Sequence, residues 1–103
     1  MKLDRIFHTA VEYKASDIYI TTGTKPVLRL HGDLMQIEEH PVVTKEVAQD
    51  YIFEIMTEAQ RKTFLEKMDI DFALEIPGVA RFRVNAFFNR KGPGAFFRLI
   101  PAT

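Results

Sequence analysis

The fold of this chain is decided near its end, where ARFRVNAFF (residues 80–88) is followed by GPGAFFRLIP (residues 92–101). In the first stretch apolar residues alternate with polar ones, which is typical of a β-strand with one buried face. The second stretch supplies another strand over residues 95–100, and its opening Gly-Pro-Gly is the expected turn between the two. Because side chains two residues apart point to the same side of a strand, Arg81 and Arg83 share one face. The sequence therefore predicts a hairpin that offers guanidinium groups on one side.

The first third of the chain predicts one helix and three strands. Residues 16–21 alternate as a strand, with two isoleucines on the buried face. Residues 27–30 and 34–37 flank a short loop whose Gly32 suits a positive φ, and together they predict a tight antiparallel hairpin. A helix precedes these strands, because apolar residues recur there at helical spacing. Its expected buried stripe is Leu3, Ile6, Phe7, Ala10 and Val11.

The middle of the chain predicts two further helices and a strand. Thr44 is placed to cap the first helix with its side-chain oxygen. Thr57 and Gln60 have the spacing of a capping box at the start of the second helix, in which each side chain bonds the other residue's backbone N–H. Residues 69–76 then return to a period of two and predict a strand. The residues expected to face the core are Val47, Tyr51, Ile52 and Ile55 in the first helix, and Phe64, Leu65 and Met68 in the second.

These patterns together give the order helix, three strands, two helices and three strands. The order predicts an α+β fold in which helices pack on a mostly antiparallel sheet of about six strands. Such a sheet buries one face under helices and leaves the second face to solvent or to a partner. The arginines lie on that second face, which is where we look for function. Whether Arg98, on the last strand, shares the face with Arg83 stays open on the sequence alone.

The composition restricts the kinds of function that are possible. The 103 residues, with 47% hydrophobic content, suffice for one domain with a single core. Without cysteine there is no disulfide, no thiolate nucleophile and no cysteine-based metal site, and the cytoplasm is the expected compartment. The 14 basic and 14 acidic residues balance, so no global positive field favours nucleic acid or an anionic membrane. We expect neither a secretory signal nor a membrane span.

Two interpretations of the arginines follow from their chemistry. A guanidinium group stays charged and donates paired hydrogen bonds, so Arg81, Arg83 and Arg98 are candidate ligands for a phosphate. The same residues also suit a solvated strand face, where their stems cover aromatic neighbours. If Phe87, Phe88 or Phe96 emerges beside them, the face becomes an apolar surface for a partner. Residue chemistry alone favours the solvated face and leaves phosphate binding as the alternative.

Three weaker patterns are interpreted as ordinary surface chemistry. Residues 91–98 partly match the strand signature of RNA-binding domains but lack the aromatic rings that stack bases. His31 and His40 have no second histidine at metal-ligand spacing and are expected to be solvated loop residues. Asp69 and Asp71 share a strand face without a nucleophile or proton partner nearby. We therefore expect no catalytic residue, no metal site and no nucleic-acid partner in this chain.

Five segments, in order along nearly the whole chain, resemble the N-terminal domain of type IV pilus retraction (twitching motility) ATPases. These enzymes belong to the bacterial type II/IV secretion ATPase superfamily. The most specific part of the resemblance is the run Arg-Phe-Arg-Val-Asn in the last segment. The segments are ASDI (residues 15–18), RLHGDL (29–34), IMTEAQR (55–61), DFALEIPG (71–78) and ARFRVNAF (80–87).

The resemblance implies a PAS-like N-terminal domain over residues 1–101, with residues 102–103 beginning a linker to an omitted RecA-like motor domain. It implies a homohexameric ring in which each domain packs on its own motor domain and on that of the neighbouring subunit. ATP and magnesium are expected in the intact ATPase and neither in this chain alone, which has no Walker motif. Arg83 and Arg98, with Arg81 as an addition, match the strand arginines that reach the γ-phosphate of ATP.

The implied function is that of an assembly and regulatory domain in a motor that retracts the pilus and drives twitching motility. The intact protein is expected to hydrolyse ATP, whereas this chain alone is not. The implied partner of the ring is an inner-membrane pilus platform protein, so the location is cytoplasmic and peripheral to the inner membrane, without membrane insertion. The alternative is a stand-alone PAS-like small-molecule sensor or adaptor module. The sequence does not separate retraction motors from their accessory paralogues.

Overall fold

The architecture is the α+β arrangement that the sequence predicts, with the elements in the predicted order. The computed structural model describes residues 1–100; the expected domain boundary after residue 101 and the linker at residues 102–103 lie outside the described residues. A six-stranded antiparallel sheet carries the helices on one face. The elements of residues 1–100 are α1 (Asp4–Glu12), β1 (Asp17–Thr21), β2 (Val27–Leu30), β3 (Asp33–Gln36), α2 (Lys45–Glu54), α3 (Glu58–Lys67), β4 (Asp69–Ile76), β5 (Ala80–Asn89) and β6 (Gly92–Ile100).

The sheet consists of two local antiparallel meanders that meet at its centre. Its strand order is β3-β2-β1-β6-β5-β4, and every neighbouring pair is antiparallel. The first meander is β1 to β3 and the second is β4 to β6, and the two join where β1 pairs with β6. Since β3 and β4 are the two edges, α2 and α3 carry the chain from one edge of the sheet to the other. This topology brings Arg98 of β6 opposite Asp17 of β1.

One face of the sheet forms the core with the helices. Phe7 of α1 stacks on Phe82 with ring centroids 4.7 Å apart and meets Phe97 edge-on at 5.5 Å. Each fully buried side chain of this kind contributes about 1.5–3 kcal/mol through removal from water. The predicted burial of both isoleucines of β1 is confirmed. The buried residues that the sheet supplies are Ile18, Ile20, Leu28, Phe82, Val84, Ala86, Ala95 and Phe97.

Helix α1 buries its predicted stripe except at one position. Ile6, Phe7 and Ala10 are buried, and Leu3, directly before the helix, is fully buried. Val11 is 38% exposed, because it lies about 100° further round the helix than Ala10 and so falls on the flank of the stripe. Its predicted burial is wrong.

Both predicted helix caps are present. The side-chain oxygen of Thr44 accepts the backbone N–H of Val47 at 3.2 Å. At the start of α3, Thr57 accepts the N–H of Gln60 at 3.1 Å while the Gln60 side chain accepts the N–H of Thr57 at 2.9 Å, which is the complete capping box. The residues expected to face the core in α2 are buried or half-buried: Val47, Tyr51, Ile52 and Ile55.

The buried side of α3 is narrower than the sequence predicts. Phe64 is fully buried and stacks on Phe88 with ring centroids 4.6 Å apart. Leu65 is 55% exposed, because it follows Phe64 by one residue and therefore faces about 100° away. Met68 is the C-cap in the left-handed conformation, with φ 62°, and is 50% exposed where the chain leaves the helix. The predicted burial of Leu65 and Met68 is wrong.

The first predicted hairpin is confirmed and has a two-residue turn. His31 and Gly32 have φ values of 51° and 86° and connect Leu30 to its direct partner Asp33. Two successive positive φ values are the geometry of a type I′ turn, whose twist matches that of the flanking strands. Asp33, which the sequence assigns to the loop, is thus the first residue of β3.

The hairpin of β5 and β6 turns at Arg90 and Lys91, earlier than predicted. The side-chain oxygen of Asn89 accepts the backbone N–H groups of Lys91 and Gly92 at 2.9 and 3.2 Å and so closes the turn. Gly92 and the two residues after it belong to β6, where Gly92 pairs with Asn89. The prediction of a turn at the Gly-Pro-Gly sequence is therefore wrong.

Local geometry explains why glycine and proline are accommodated inside β6. A Cβ atom at Gly94 would lie 2.9 Å from ring carbons of Phe87 and 3.2 Å from the carbonyl oxygen of Ile20, so glycine is needed for the close approach of the ring. β1 ends at Thr21, opposite Gly94, so Pro93 lies beyond the β1 ladder and its missing N–H leaves no hydrogen bond unmade there.

Candidate anion-binding face

The face of the sheet opposite the core collects the polar side chains of its strands. Along each strand the residues next to buried ones point the other way, as the alternating burial of β5 shows. In β6 the same alternation leaves Phe96 43% exposed between buried neighbours. The exposed residues of the two strands on this face include Arg81, Arg83, Phe96 and Arg98. The arginines and at least one aromatic ring therefore share an open surface, which the sequence alone leaves open.

Four charged residues form one row across the middle of this face. Asp17 of β1 is the direct partner of Arg29 in β2 on one side and of Arg98 in β6 on the other. Arg98 is in turn the direct partner of Arg83 in β5. The row therefore runs Arg29, Asp17, Arg98, Arg83, with one carboxylate among three guanidinium groups. Arg83 and Arg98 share a face, which the sequence alone leaves open.

Asp17 is the centre of the hydrogen bonds in this row. Its Oδ1 accepts the Nε–H of Arg98 at 3.1 Å, and its Oδ2 accepts the hydroxyl of Ser16 at 2.7 Å. The Nε of Arg29 lies 3.6 Å from Oδ2. The Asp17 side chain is 10% exposed, whereas that of Arg98 is 75% exposed. A carboxylate at this depth requires such partners, because an unpaired buried charge costs several kcal/mol.

Arg29 is held on all sides and acts as a fixed cation. Its Nε donates to the hydroxyl of Tyr19 at 3.0 Å, and a terminal nitrogen donates to the carbonyl of Gly32 at 3.3 Å. The hydrogen bond with Tyr19 raises the pKa of Arg29 above its ordinary value, and the charge of Asp17 acts in the same direction. Arg29 therefore stays charged, and two of its five N–H donors are already used within the fold.

The three candidate arginines differ in what holds them. Arg98 is bound through Nε to Asp17. Arg81 forms an ion pair with Glu75, its cross-strand partner, at 3.3 Å between side chains that are more than 60% exposed. The side chain of Arg83 forms neither a hydrogen bond nor an ion pair within residues 1–100. Arg83 is thus the candidate with most of its donors free.

Aromatic side chains lie directly beside the charged row. Phe96 packs edge-on against Tyr19, with ring centroids 5.1 Å apart, and at a tilt against Phe87, with ring centroids 4.8 Å apart. Phe96 and Tyr19, together with Arg83, Arg98 and the carboxylates of Asp17 and Asp71, border a shallow depression of about 310 Å³. Since this surface offers both guanidinium groups and exposed aromatic rings, it suits a folded partner that holds an anion at its own contact surface.

A second cleft lies at the other side of the molecule, between α1 and the segment before α2. It has a volume of about 530 Å³ and is bordered by Arg5, Tyr13, His40 and Tyr51, among others. His40 Nε2 lies 2.8 Å from the Tyr51 hydroxyl, and Nδ1 lies 2.6 Å from the carbonyl of Pro41. A carbonyl only accepts, so Nδ1 carries the proton and, in neutral His40, Nε2 accepts from Tyr51. Burial raises the pKa of Tyr51, and the charge of Lys2 partly offsets this effect.

Two residues of these sites escape the sequence-based prediction. His40 is expected to be a solvated loop residue but is half-buried and bonded to Tyr51. Asp17 belongs to a segment that resembles the ATPase family, yet no role is predicted for it. Only the register of β1 against β2 and β6 reveals its contacts. Within residues 1–100, no three His, Asp or Glu side chains cluster as metal ligands would, and no helix is long and apolar enough to cross a membrane.

This chain is similar in sequence and in structure to proteins named as pilus retraction ATPases. No protein-family model matches the chain. The type IV pilus retraction ATPase PilT of Pseudomonas aeruginosa is 41% identical over 102 residues, which are 99% of this chain and 29% of that protein. A twitching motility protein of Neisseria gonorrhoeae is 42% identical over 96 residues, 87% of this chain and 25% of that protein. The crystal structure of the pilus retraction motor PilT with bound ADP matches with a TM-score of 0.88 and 34% identity, over 96% of this chain and 29% of that one. The chain thus spans less than a third of each of these proteins.

Proposed function

Since the chain is an N-terminal domain of the type II/IV secretion ATPase superfamily, of the kind that pilus retraction ATPases carry, we propose that it is the assembly and regulatory domain of a hexameric motor ATPase that retracts type IV pili. In this proposal the remainder of a longer protein supplies the RecA-like motor domain, the phosphate-binding loop and the magnesium site. The chain itself contributes surface and arginines.

The observation that carries the proposal is the pair Arg83 and Arg98 on the open face. Phosphoryl transfer depends mainly on positioning and on stabilising charge that spreads over the γ-phosphate oxygens. Two guanidinium groups on adjacent strands can donate several hydrogen bonds to such oxygens and stay charged throughout. Arg81, paired with Glu75, has the weaker claim to this role. Closure of the domain on a motor domain would complete the ATP site.

The proposed partners follow from the same arrangement. A ring closes when each subunit presents one surface to a different surface of its neighbour, and the aromatic and cationic face suits such a heterologous contact. We expect the ring to be cytoplasmic and peripheral to the inner membrane, where it acts on pilin through a membrane-embedded platform protein. ATP hydrolysis would then be coupled to rotation of the domain, because the arginines reach the phosphate only in the closed state.

The test is ATP turnover by the complete ATPase carrying Arg83→Ala or Arg98→Ala. An arginine that stabilises phosphoryl transfer is worth about 10³-fold or more in kcat, so we expect at least one variant to lose most of its turnover. Arg90→Ala, which removes the same charge from the turn beyond the row, is the matched control and should retain it. Full turnover in both row variants would contradict the proposed arginine role.

A stand-alone small-molecule sensor or adaptor is the second candidate, and the cleft beside His40 and Tyr51 supports it. Its volume of about 530 Å³ falls within the usual range of ligand pockets. If this is the function, a thermal-shift screen of metabolites against the 103-residue chain should give specific stabilisation that Tyr51→Phe reduces. A retraction motor domain should give no such hit at this cleft.

A further inference from the structure

Asp17 is unusual because it belongs neither to the core nor to the solvated surface. It lies on the outer face of the central strand, yet its side chain is only 10% exposed, because the side chains of Arg29 and Arg98 lie on either side of it. Ser16 donates a further hydrogen bond at 2.7 Å. Removing a carboxylate from water is unfavourable unless charged partners compensate, so these contacts hold one another in place.

The way in which Asp17 binds Arg98 leaves most of the guanidinium group available. Only Nε donates to Asp17, at 3.1 Å, and the two terminal nitrogens make no hydrogen bond within residues 1–100. A guanidinium group has five N–H donors, four of them on those terminal nitrogens. The ion pair therefore fixes the Arg98 head without using the donors that an anion would bind.

Asp17 also offsets an unfavourable cross-strand pair. Arg83 and Arg98 are direct partners on neighbouring strands, and like charges placed opposite each other destabilise a sheet. Without the carboxylate, Arg98 would be expected to turn away from Arg83 into solvent, where its exposed side chain has room. With the carboxylate in place, both arginines border the depression.

We infer that Asp17 is a positioning residue that acts through Arg98, holding its terminal nitrogens beside Arg83 as a two-arginine receptor for the terminal phosphate of a nucleoside triphosphate. The inference rests on the proposed function for the identity of the anion. It adds a residue that does not touch the phosphate and predicts that Arg98 depends on Asp17 while Arg83 does not.

The first test measures the Arg98 Nε–H group in the 103-residue chain by proton–nitrogen NMR. Asp17→Asn keeps the size of the side chain and removes its charge. We expect the exchange of the Arg98 Nε–H with solvent to become about tenfold faster, because the charge-assisted hydrogen bond that protects this proton is replaced by a weaker neutral one. Glu75→Gln removes an equal charge from the same face and should leave Arg98 unchanged. Unchanged exchange in Asp17→Asn would overturn the inference.

The second test measures ATP turnover by the complete ATPase. Asp17→Asn should lower kcat, and the double variant with Arg98→Ala should be no worse than Arg98→Ala alone, because both changes remove the same interaction. If the fold-losses in kcat of the two single variants multiply in the double variant, the inference is overturned, since Asp17 would then act independently of Arg98. Should Asp17→Asn fail to fold, Arg98→Lys replaces it: lysine keeps the charge but lacks the Nε geometry, so kcat should fall, and full turnover would overturn the inference.

The two tests separate this inference from the proposed function. If Arg83→Ala and Arg98→Ala both leave turnover intact, the arginine role in the proposed function fails, whatever the NMR result. If those variants are inactive while Asp17→Asn keeps full turnover, the proposed function stands and the role of Asp17 fails.

Discussion

Replacement of Phe64 by alanine tests whether α3 is anchored to the sheet by a single residue. Phe64 is fully buried, stacks on Phe88 at 4.6 Å and meets Phe53 edge-on at 6.4 Å. Truncating a buried phenylalanine costs about 3–5 kcal/mol through lost transfer energy and the cavity left behind. Domains of this size have about 5–15 kcal/mol of total stability, so the variant should be severely destabilised but measurable.

Leu65→Ala is the matched control, because Leu65 is the adjacent residue in the same helix turn. It is 55% exposed, and leucine and alanine have similar helix propensities, so the change should alter the free energy of unfolding by less than about 0.5 kcal/mol. An amphipathic helix that buried both residues would instead show large losses for both variants.

The assay is urea unfolding of the 103-residue chain followed by circular dichroism. With a slope of about 1–3 kcal/mol per molar urea, Phe64→Ala should lower the midpoint by about 1 M or more. Leu65→Ala should leave the midpoint nearly unchanged. Comparable shifts for the two variants would refute the arrangement of α3, and Phe64→Leu, which should show a smaller loss, serves if the alanine variant does not fold.

Three further predictions concern other elements. Gly94→Ala forces a methyl group against the Phe87 ring and should cost about 1–3 kcal/mol, a fall of about 4–8 °C in Tm per kcal/mol by calorimetry; an unchanged Tm would contradict the close approach. Thr57→Ala should cost about 1 kcal/mol and speed hydrogen exchange in the first turn of α3, whereas Thr57→Ser should restore both. Burial raises the pKa of Tyr51, so folding favours the neutral phenol: its contribution to stability is full below about pH 10 and is lost as pH rises through the higher folded value. The free energy of unfolding, measured by urea titration at successive alkaline pH values, should therefore fall more steeply with pH for the native chain than for Tyr51→Phe. Parallel curves of this free energy against pH would argue against the effect.

The fold was predictable because its periodic segments are long and its caps are local. The alternation over residues 69–76 and 80–88 and the capping box at Thr57 depend only on neighbouring residues, and each is present in the structure. Leu65 and Met68 were misplaced because apolar character does not define the width of a buried stripe. The turn of β5 and β6 was misplaced because Gly94 serves contact with Phe87 and not chain reversal.

The candidate site was only partly predictable, because it depends on register between distant strands. Arg81 and Arg83 share a face by simple alternation, which sequence reveals. The pairing of Arg98 with Arg83 and with Asp17 depends on the turn length of one hairpin and on contact between the first and last strands. No local pattern encodes either. The hydrogen bond between His40 and Tyr51 likewise joins a loop to a helix through tertiary packing.

The meeting of β1 and β6 at the centre of the sheet has a consequence for how the protein is made. Asp17 and Arg98 are separated by 81 residues, so at translation rates of roughly 5–20 residues per second β1 waits about 4–16 s for its second partner. During that interval the first meander has an unpaired edge next to Ile18 and Ile20, a template for pairing with other nascent chains. Closure of this long-range pairing should set the pace of folding, and the seconds before it are when a ribosome-bound chaperone has most to protect.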